Sequence, residues 1–518
     1  MADMIAAPAV LSADQIAAFD AVAARLAHHG IDMTTGALSE PDALSEEDGE
    51  TLAVLGKAGS GKTLLLARIV AAMTDAGVEP IAAEWEGRKK RGRRSFAVLA
   101  PTNKAASVLR GHGVPATTLH RILYTPVYNP EYEQIAAWLS GDARKPEVEA
   151  ITPEALDRAA ASYKIHGSIP GALAVLGVRG SDFITGWARR EDELDIALVD
   201  ESSMLDDRHL ADLRRIFRLI VLFGDPAQLA PVGQSGAMTF DQLPSARKHV
   251  LSRIHRQAAD NPILDLAHAL ADPNLDFERF ERMVEDAAAR DDRVVVAQRA
   301  DAALMARSPM LVWRNATRIR LIDAFRKVTG APEDELLPGE PLICDGIELP
   351  LKHRRKRIDL EARGLIKGAQ CVYLGPGRKA GFARLHVMGA EEPQVNAAAI
   401  IQIERPDEDE PFIPAAARMG AAFVHGAAAT IHKAQGSQWP NVQVFAPDLY
   451  AAARAGREEA GLPLWKRLAY VAVTRAETRL FWVTRYRMAR PENPLSIDDL
   501  RGAVRAPLTL ETQIDDQS

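Results

Sequence analysis

Short apolar runs followed by small or polar residues recur along this chain, and such runs are typical of buried parallel strands. In the first half they lie at residues 52–55, 96–100, 195–199 and 219–223. The second half begins near Leu251 and has runs at residues 294–297, 310–313, 442–445 and 480–484. Helical patterns separate the runs, with apolar residues three or four positions apart. The alternation predicts the α/β fold class, with two domains that each contain a parallel sheet.

Two stretches interrupt this alternation and predict an inserted subdomain in each α/β domain. Residues 124–190 mix helix and loop patterns with clustered aromatic residues. Residues 345–424 contain short strand patterns separated by Gly and Pro, which favours a small β-barrel. We therefore expect the first domain at residues 1–123 and 191–246, the second at 247–344 and 425–495, and a C-terminal tail at 496–518.

The composition is that of an ordinary soluble protein, with 518 residues, 47% hydrophobic and 26% charged. No apolar run approaches the roughly 20 residues of a membrane span, and the acidic N-terminus does not resemble a secretory signal. The two cysteines, Cys344 and Cys371, exclude a disulfide scaffold and fit a reducing compartment. We expect a cytoplasmic protein that associates with the nucleoid. If the source is a virus, we expect it in the host cytoplasm.

A net charge of −7 means that any nucleic-acid binding must come from a local basic groove. Two basic runs are candidates, at residues 88–94 and 352–357. A solvated loop and a contact surface for phosphates are equally good interpretations of each run. If they form the groove, strand binding should weaken with salt.

The sequence GKAGSGKT, at residues 56–63, lies between a predicted strand and a predicted helix. This spacing is that of a phosphate-binding loop, in which glycines let backbone N–H groups converge on phosphate oxygens at a helix N-terminus. Lys62 would bridge the β- and γ-phosphates of ATP, and the Thr63 hydroxyl would bind Mg²⁺. The predicted nucleotide ligands are Gly56, Ala58, Gly59, Ser60, Gly61, Lys62 and Thr63.

Polar residues that follow other predicted strands complete the candidate ATP site. Asp200 would hold Mg²⁺ together with Thr63, and Glu201 would orient and deprotonate the attacking water. Gln228 would contact the γ-phosphate and relay its loss. Gln15, near the start of the first helical pattern, would read an adenine edge, although a simple helix cap explains it equally well.

Eight motifs occur in one order: GKAGSGKT, APTNKAA, TTLHRIL, LVDESSM, FGDPAQLAPVG, IHRQ, ATIHKAQGS and AYVAVTRAE. This series resembles that of superfamily 1 helicases, and within them the B branch of RecD/Dda-like enzymes. The resemblance extends over most of residues 11–485. It implies two RecA-like domains with ATP in the cleft between them, and a second insertion of the Src-homology barrel type.

The resemblance also implies roles for residues of the later motifs. Arg256 and Arg475 would act as arginine fingers, while Gln435 and Gly436 would sense the nucleotide from the second domain. The implied strand-binding residues are Pro101, Thr102, Asn103, Lys104, Thr118, His120, Thr430, His432 and Lys433, with Asn315 and Arg318 as less secure additions. Residues 124–190 occupy the position of a strand-separating pin, but they lack the alternation of a clean β-hairpin.

These features predict an ATP-dependent DNA helicase or translocase, and the resemblance implies 5′→3′ movement. Its expected partners are single-stranded DNA, duplex or fork junctions, and replication or recombination proteins, with no membrane and a monomeric chain. One alternative is a motor subunit of a recombination or nuclease complex that does not unwind. Another is an RNA helicase, because backbone and stacking contacts discriminate poorly between DNA and RNA.

Overall fold

The computed structural model describes residues 11–39, 49–81, 93–149, 151–167, 169–178, 182, 184–231, 237–253, 260–349, 354–390, 392–408, 411, 417, 419–459 and 461–501. Several predicted features lie outside these residues. They are Arg256, residues 88–92 of the first basic run, residues 352–353 of the second, and residues 502–518 of the tail.

Strands and helices alternate in the first part of the chain, as the apolar runs predict. The elements are α1 (Ala13–His28), β1 (Glu50–Gly56), α2 (Lys62–Asp75), β2 (Glu79–Pro80), β3 (Ser95–Ala100), α3 (Asn103–Gly111), β4 (Ala116–Thr118) and α4 (Leu119–Leu123). All six residues of β3 are buried, which is the pattern of a strand covered on both faces. In α1 the buried Ala18, Val22 and Leu26 recur at helical spacing and face the sheet core.

A helical lobe follows, enclosed by two strands. Its elements are β5 (Tyr124–Tyr128), α5 (Pro130–Leu139), α6 (Pro153–His166), α7 (Ile169–Val175) and β6 (Ile184–Arg189). The strands β5 and β6 form an antiparallel ribbon in which Tyr124 lies opposite Arg189. The helices between them have a hydrophobic core of their own, which Met419 also joins. The two strands of the ribbon are therefore connected through helices rather than by the short turn of a tight hairpin.

The chain then returns to the first sheet with β7 (Leu194–Val199), α8 (Asp207–Ile216), β8 (Phe217–Gly224) and β9 (Lys248–Leu251). The strand order is β2-β3-β7-β8-β1-β9, with β4 also paired to β3, and every pair is parallel. The short strands β4 and β9 have no long apolar run, and the sequence pattern did not predict them. These short segments adopt strand conformation because they pair with longer strands.

Arg94 corrects part of the prediction for the first basic run. Its side chain is 3% exposed, and its Nε lies 3.1 Å from Oδ1 of the fully buried Asp195. Its two terminal nitrogens donate to the carbonyl oxygens of Ser39 and His29. A guanidinium paired inside the domain cannot reach a nucleic-acid strand, so a phosphate-contact role is wrong for Arg94. The neighbouring Arg93 is exposed and pairs with Glu79.

The second domain begins with α9 (Pro262–Ala269), α10 (Phe277–Arg290), β10 (Val294–Ala297), β11 (Ala300–Asp301), α11 (Ala302–Met305), β12 (Met310–Val312) and α12 (Asn315–Thr329). The chain then leaves the sheet for a closed barrel made of β13 (Pro341–Glu348), β14 (Gln370–Pro376), β15 (Phe382–Val387), β16 (Gln394–Gln402) and β17 (Gly420–His425). Helix α13 (Arg354–Ala362), which includes the rest of the second basic run, lies between β13 and β14.

The segments of the chain that enter and leave the barrel are hydrogen-bonded to each other. The Gly426 N–H donates to the Pro341 carbonyl oxygen at 2.8 Å. The fully buried Glu340 accepts from His425 Nε2 at 3.0 Å and from Arg326 Nε at 3.1 Å. We call this group, Arg326, Glu340 and His425 with the 341–426 bond, the barrel neck. It joins the barrel to α12 of the second domain.

The second domain finishes with β18 (Ala428–Thr430), α14 (Ile431–Ala434), β19 (Trp439–Phe445), α15 (Ala446–Arg454), β20 (Glu458–Glu459), β21 (Leu462–Pro463), α16 (Leu464–Val473), β22 (Ala476–Val483) and β23 (Met488–Ala489). Its sheet has the order β10-β22-β19-β12-β18, and all pairs are parallel. The prediction of two parallel-sheet domains, each with an insertion and the second with a barrel, is confirmed. Among the described helices, none combines the length and apolar character that crossing a bilayer requires.

Candidate active site

The phosphate-binding loop connects the buried strand β1 to the N-terminus of α2. Gly59 (φ 83°) and Gly61 (φ 77°) adopt the left-handed backbone conformation that favours glycine. Lys62 begins α2, and its ammonium group donates to the carbonyl oxygens of Gly56 at 2.5 Å and Lys57 at 3.2 Å. The first turn of α2 has no acidic residue, so the helix N-terminus, the lysine and Thr63 present positive charge and donors to an anion.

Gln15 lies against this loop. Its Nε2 donates to the carbonyl oxygens of Ser60 at 3.1 Å and Gly61 at 3.3 Å. Its Oε1 accepts from the Ser12 backbone N–H at 2.9 Å, as in a helix cap, and the side chain is fully buried. Gln15 thus caps α1 and supports the phosphate-binding loop from behind. Its contact with adenine stays a prediction.

Two carboxylates from strand ends face the loop lysine. Asp200 follows β7, and Asp225 follows β8. Burial, and then repulsion from Glu201, raises the pKa of Asp200, while the Lys62 charge opposes that rise. Burial raises the pKa of Asp225 as well, again opposed by Lys62. Burial therefore disfavours the charged form of both carboxylates, and a cation bound at Asp200 would offset that cost.

Glu201 and Gln228 are brought together as the motifs predict. Gln228 Nε2 donates to Glu201 Oε2 at 3.0 Å, and the Ser203 hydroxyl donates to Gln228 Oε1 at 3.0 Å. Glu201 itself has a left-handed backbone (φ 51°), which a non-glycine residue rarely adopts. The pairing fixes the direction of the Glu201 carboxylate and links it to the loop after β8.

The second domain supplies the opposite wall of the cleft. Arg475, which follows α16, is 5% exposed and donates to the carbonyl oxygens of Val471 at 3.0 Å and Ser437 at 3.1 Å. Burial lowers its pKa, and the largest opposing influence is the Glu201 charge. Gln435 Nε2 donates to the Leu229 carbonyl oxygen at 3.4 Å. Gly436 (φ 71°) has Thr102 Oγ1 3.1 Å from the position where a Cβ would lie.

Three residues of this wall were not among the predicted site residues. The Tyr470 hydroxyl donates to Asp225 Oδ2 at 2.6 Å and accepts from the Ala58 N–H at 2.9 Å. His268 Nε2 donates to the Ala58 carbonyl oxygen at 3.1 Å. Arg467 donates to the carbonyl oxygens of Pro226, at 3.0 Å, and Gln228. For Tyr470 and Arg467 the sequence signal is that α16, whose ten residues are all buried, contains two cations and a tyrosine.

The predicted strand-binding residues lie at the carboxyl ends of three strands. Pro101, Thr102, Asn103 and Lys104 follow β3, Thr118 ends β4 and precedes His120 on α4, and Thr430 ends β18 and precedes His432 and Lys433. Thr102 and Thr430 cap their helices by accepting from Ala105 N–H and Lys433 N–H. The His120 ring lies 4.1 Å from that of Trp187, which is 45% exposed. Burial lowers the pKa of His120 and of His432, so both rings favour the neutral form.

Arg318, predicted as a less secure strand contact, is 6% exposed and donates to Asn315 Oδ1 at 2.7 Å. It also pairs with Glu404 at the end of the barrel. In this structure Asn315 and Arg318 bond to each other, and Arg318 also bonds to the insertion. The neighbouring Arg314 bonds to the fully buried Asp448.

Two family models match the chain. One, described as an AAA domain, matches residues 42–290, and the other, the UvrD-like helicase C-terminal domain, matches residues 425–483. The first region includes the phosphate-binding loop and both carboxylates, and the second includes Gln435, Tyr470 and Arg475. Fold and site together define a P-loop ATPase whose cleft lies between two parallel-sheet domains.

The two matches, in this order along the chain, agree with the motif series, which resembles that of superfamily 1 helicases of the RecD-like B branch. No curated protein matches the chain significantly. Of the solved structures, Pif1 helicase from Bacteroides in complex with ADP-AlF3 and ssDNA is 14% identical, with a TM-score of 0.43 over 95% of this chain and 97% of that one. Pif1 helicase from Candida albicans is 16% identical, with a TM-score of 0.44 over 95% and 99%.

Proposed function

We propose that this helicase is an ATP-driven motor that moves along single-stranded DNA in the 5′→3′ direction and unwinds duplex DNA ahead of it. The observation that carries the proposal is the shared cleft. Tyr470 of the second domain bonds directly to Ala58 and Asp225 of the first. A site divided between two domains changes their relative position when its occupancy changes, and this is how hydrolysis becomes movement.

The donor set fits ATP with Mg²⁺. Thr63 and Asp200 offer the oxygen ligands that Mg²⁺ prefers, and phosphates and water supply the remaining positions in sites of this kind. Among the described residues no cluster of three or more His, Cys, Asp or Glu could hold a metal alone, which suits an ion that arrives with the nucleotide. When bound, Mg²⁺ would neutralise charge on the phosphates. Lys62 and the α2 N-terminus hold the phosphate chain beside it.

Hydrolysis requires an oriented water molecule and positive charge at the leaving phosphate. Glu201 would hold and deprotonate the water, and its bond to Gln228 fixes the carboxylate for that task. Arg475 would approach from the second domain and stabilise the developing charge, together with Arg256. Arg475 follows the helix whose Tyr470 contacts the phosphate-binding loop, and the Glu201 charge raises its pKa against the effect of burial, which supports a place for this arginine beside the site.

The strand would cross the carboxyl ends of β3, β4 and β18. These three edges carry the hydroxyls, amide, imidazoles and lysines predicted from the motifs, and such groups bind phosphate and sugar without reading sequence. Gly436 of the second domain lies against Thr102 of the first, and this contact supports a path in which both sets line one strand. Nucleotide-dependent closure would then change the distance between the two sets of residues that bind one strand.

A test compares the purified full chain with Lys62→Ala. The wild type should hydrolyse ATP slowly alone and much faster with single-stranded DNA, and should separate a forked duplex with a 5′ tail. Lys62→Ala should bind the strand without hydrolysis. Full strand-stimulated hydrolysis by Lys62→Ala would overturn the site assignment, and unwinding only from a 3′ tail would overturn the polarity.

A motor that does not unwind is the second candidate, and the form of the helical lobe favours it. The ribbon of β5 and β6 is interrupted by three described helices and does not form a tight pin. Strand-stimulated hydrolysis without separation of the fork would select this function. Greater stimulation by single-stranded RNA than by DNA would select an RNA helicase instead.

A further inference from the structure

Ala58, in the middle of the phosphate-binding loop, has both of its backbone groups bonded to the second domain. Its N–H donates to the Tyr470 hydroxyl at 2.9 Å. Its carbonyl oxygen accepts from His268 Nε2 at 3.1 Å. Its side chain also packs against the hydrophobic core of the second domain. We call Ala58, Tyr470, His268 and Asp225 the Ala58 clamp.

The Tyr470 hydroxyl oxygen takes part in two hydrogen bonds, and the chemistry of its partners decides which one it donates and which one it accepts. Because Asp225 is an acceptor and the Ala58 N–H is a donor, the hydroxyl must donate to the first and accept from the second. Tyr470 is 2% exposed and Asp225 is 1% exposed, so neither bond can be exchanged for a water contact without moving a domain. Losing one partner would leave a buried polar group unsatisfied.

The helix that carries Tyr470 also positions Arg475. Arg475 follows α16, and its Nε donates to the Val471 carbonyl oxygen in the last turn of that helix. Thr474 donates to the Tyr470 carbonyl oxygen at 2.8 Å and accepts from Arg475 Nη2 at 3.1 Å. A displacement of the Tyr470 backbone is therefore passed to the Arg475 guanidinium through short bonds.

We propose that the Ala58 clamp transmits the occupancy of the phosphate-binding loop to the second domain, with Tyr470 and His268 as its positioning residues. Phosphates that enter the loop reorganise its backbone, and the clamp turns that change into a displacement of α16 and α9. Strand affinity then depends on the nucleotide because the loop and the second domain move as one body. This inference rests on the proposed function and adds the residues that connect its two sites.

The experiment measures coupling between nucleotide and strand. The affinity of the full chain for a labelled oligothymidine is determined by fluorescence anisotropy with Mg·ADP and with a non-hydrolysable Mg·ATP analogue. The ratio of the two dissociation constants is the coupling factor. The variants are Tyr470→Phe, which removes only the hydroxyl, His268→Ala, and His268→Gln, which keeps an N–H donor. Tyr450→Phe, on the exposed side of α15, is the matched control.

Tyr470→Phe and His268→Ala should each bring the coupling factor closer to one, by about fivefold. His268→Gln should restore part of it, and Tyr450→Phe should match the wild type in coupling and hydrolysis. If Tyr470 or His268 only stabilises the fold, its substitution would lower the unfolding temperature and leave the coupling factor unchanged. Wild-type coupling in folded Tyr470→Phe and His268→Ala would overturn the inference.

The same samples separate this inference from the proposed function. A wild-type chain whose hydrolysis does not respond to the strand overturns the proposed function, and the clamp's role with it. Strand-stimulated hydrolysis in the wild type together with unchanged coupling in the variants overturns the clamp alone. If Tyr470→Phe does not fold, the difference between His268→Ala and His268→Gln decides the question.

Discussion

The two walls of the nucleotide cleft use their polar residues in different ways. On the first-domain wall, Lys62, Asp200 and Glu201 form a compact group of charges, and burial raises the pKa of the aspartate. On the second-domain wall, Arg467 bonds to carbonyl oxygens of the first domain, Tyr470 bonds to the Ala58 N–H and the Asp225 carboxylate, and Arg475 bonds to carbonyl oxygens of its own domain. The first wall concentrates charge, which the proposed cleavage of a phosphate requires, whereas the second wall bonds mostly to other groups of the protein.

This difference explains why one wall is easier to recognise than the other. A charge cluster needs particular residue types at particular spacings, because the phosphate and the metal dictate them. A residue that bonds to a backbone carbonyl needs only a donor of suitable length, so its sequence signal is weak.

The largest effect should come from Lys62→Ala on the first wall. Removing the cation that faces the phosphates should lower kcat of strand-stimulated hydrolysis by about 10³-fold or more. Steady-state phosphate release with saturating single-stranded DNA measures it. If Lys62→Ala lowered kcat less than a variant of the second wall does, the proposed division of roles between the two walls would be wrong.

Arg475→Lys tests whether the second wall also contributes charge to the reaction. The lysine keeps the charge but loses the planar fork that bonds to Val471 and Ser437, so we expect kcat to fall by about 10²–10³-fold. Arg454→Lys, at an exposed position of α15, is the control. Equal rates for the two variants would mean that the second wall has no part in the chemistry.

Asp195→Asn should lower stability without acting on either wall. The substitution leaves the buried Arg94 guanidinium without its counter-charge, which costs about 3–5 kcal/mol in comparable buried pairs. The denaturant midpoint measures it, with Asp20→Asn on the exposed side of α1 as the control. The KM for ATP of the folded variant should stay within about twofold of the wild type, because Asp195 lies at the opposite end of β7 from Asp200.

Lys433→Gln should have a modest effect that depends on salt. Removing one phosphate contact should lower the slope of log affinity against log salt concentration by about 0.7. Lys327→Gln, on α12 and paired with Asp323, should leave the slope unchanged. Equal slopes for the wild type and Lys433→Gln would remove this lysine from the strand path.

The smallest effect concerns pH and the imidazole of His432. Burial lowers its pKa in the folded state, so the unfolded chain binds the proton more readily. Its contribution to stability is complete above the ordinary histidine pKa of about 6.5 and is lost as the pH falls through that value towards the lower folded one. Denaturant midpoints at pH 7.5 and 5.5 should differ less in His432→Gln than in the wild type.

The sheets were largely predictable because buried parallel strands are continuous apolar runs. Strands β3, β7 and β8 were found that way, whereas β4 and β9 exist only because a longer neighbour pairs with them. The phosphate-binding loop and the Asp-Glu pair were equally clear, since their chemistry fixes their spacing. Gln228 and Glu201 could be assigned to one site, and the structure brings them within 3.0 Å.

The remaining features depend on contacts between distant parts of the chain. Arg94 lies in a basic run, and only its pairing with Asp195 shows that it is buried. Tyr470 lies in an apolar helix, where a tyrosine usually contributes to the core, and its hydroxyl finds Asp225 far away in the sequence. Local pattern contains no information about such partners, so these roles become visible only when the domains are placed together.

The barrel neck has a consequence for how this protein could be changed by design or by evolution. The chain enters and leaves the barrel through adjacent residues bonded at 2.8 Å, and one buried group of three side chains closes the junction. A different small domain could therefore be exchanged at this junction while the parallel sheet stays uncut. Relatives with new accessory modules at this point would need to preserve Arg326, Glu340 and His425, and to cover apolar residues of α12, such as Leu321 and Phe325, that share a buried cluster with the barrel.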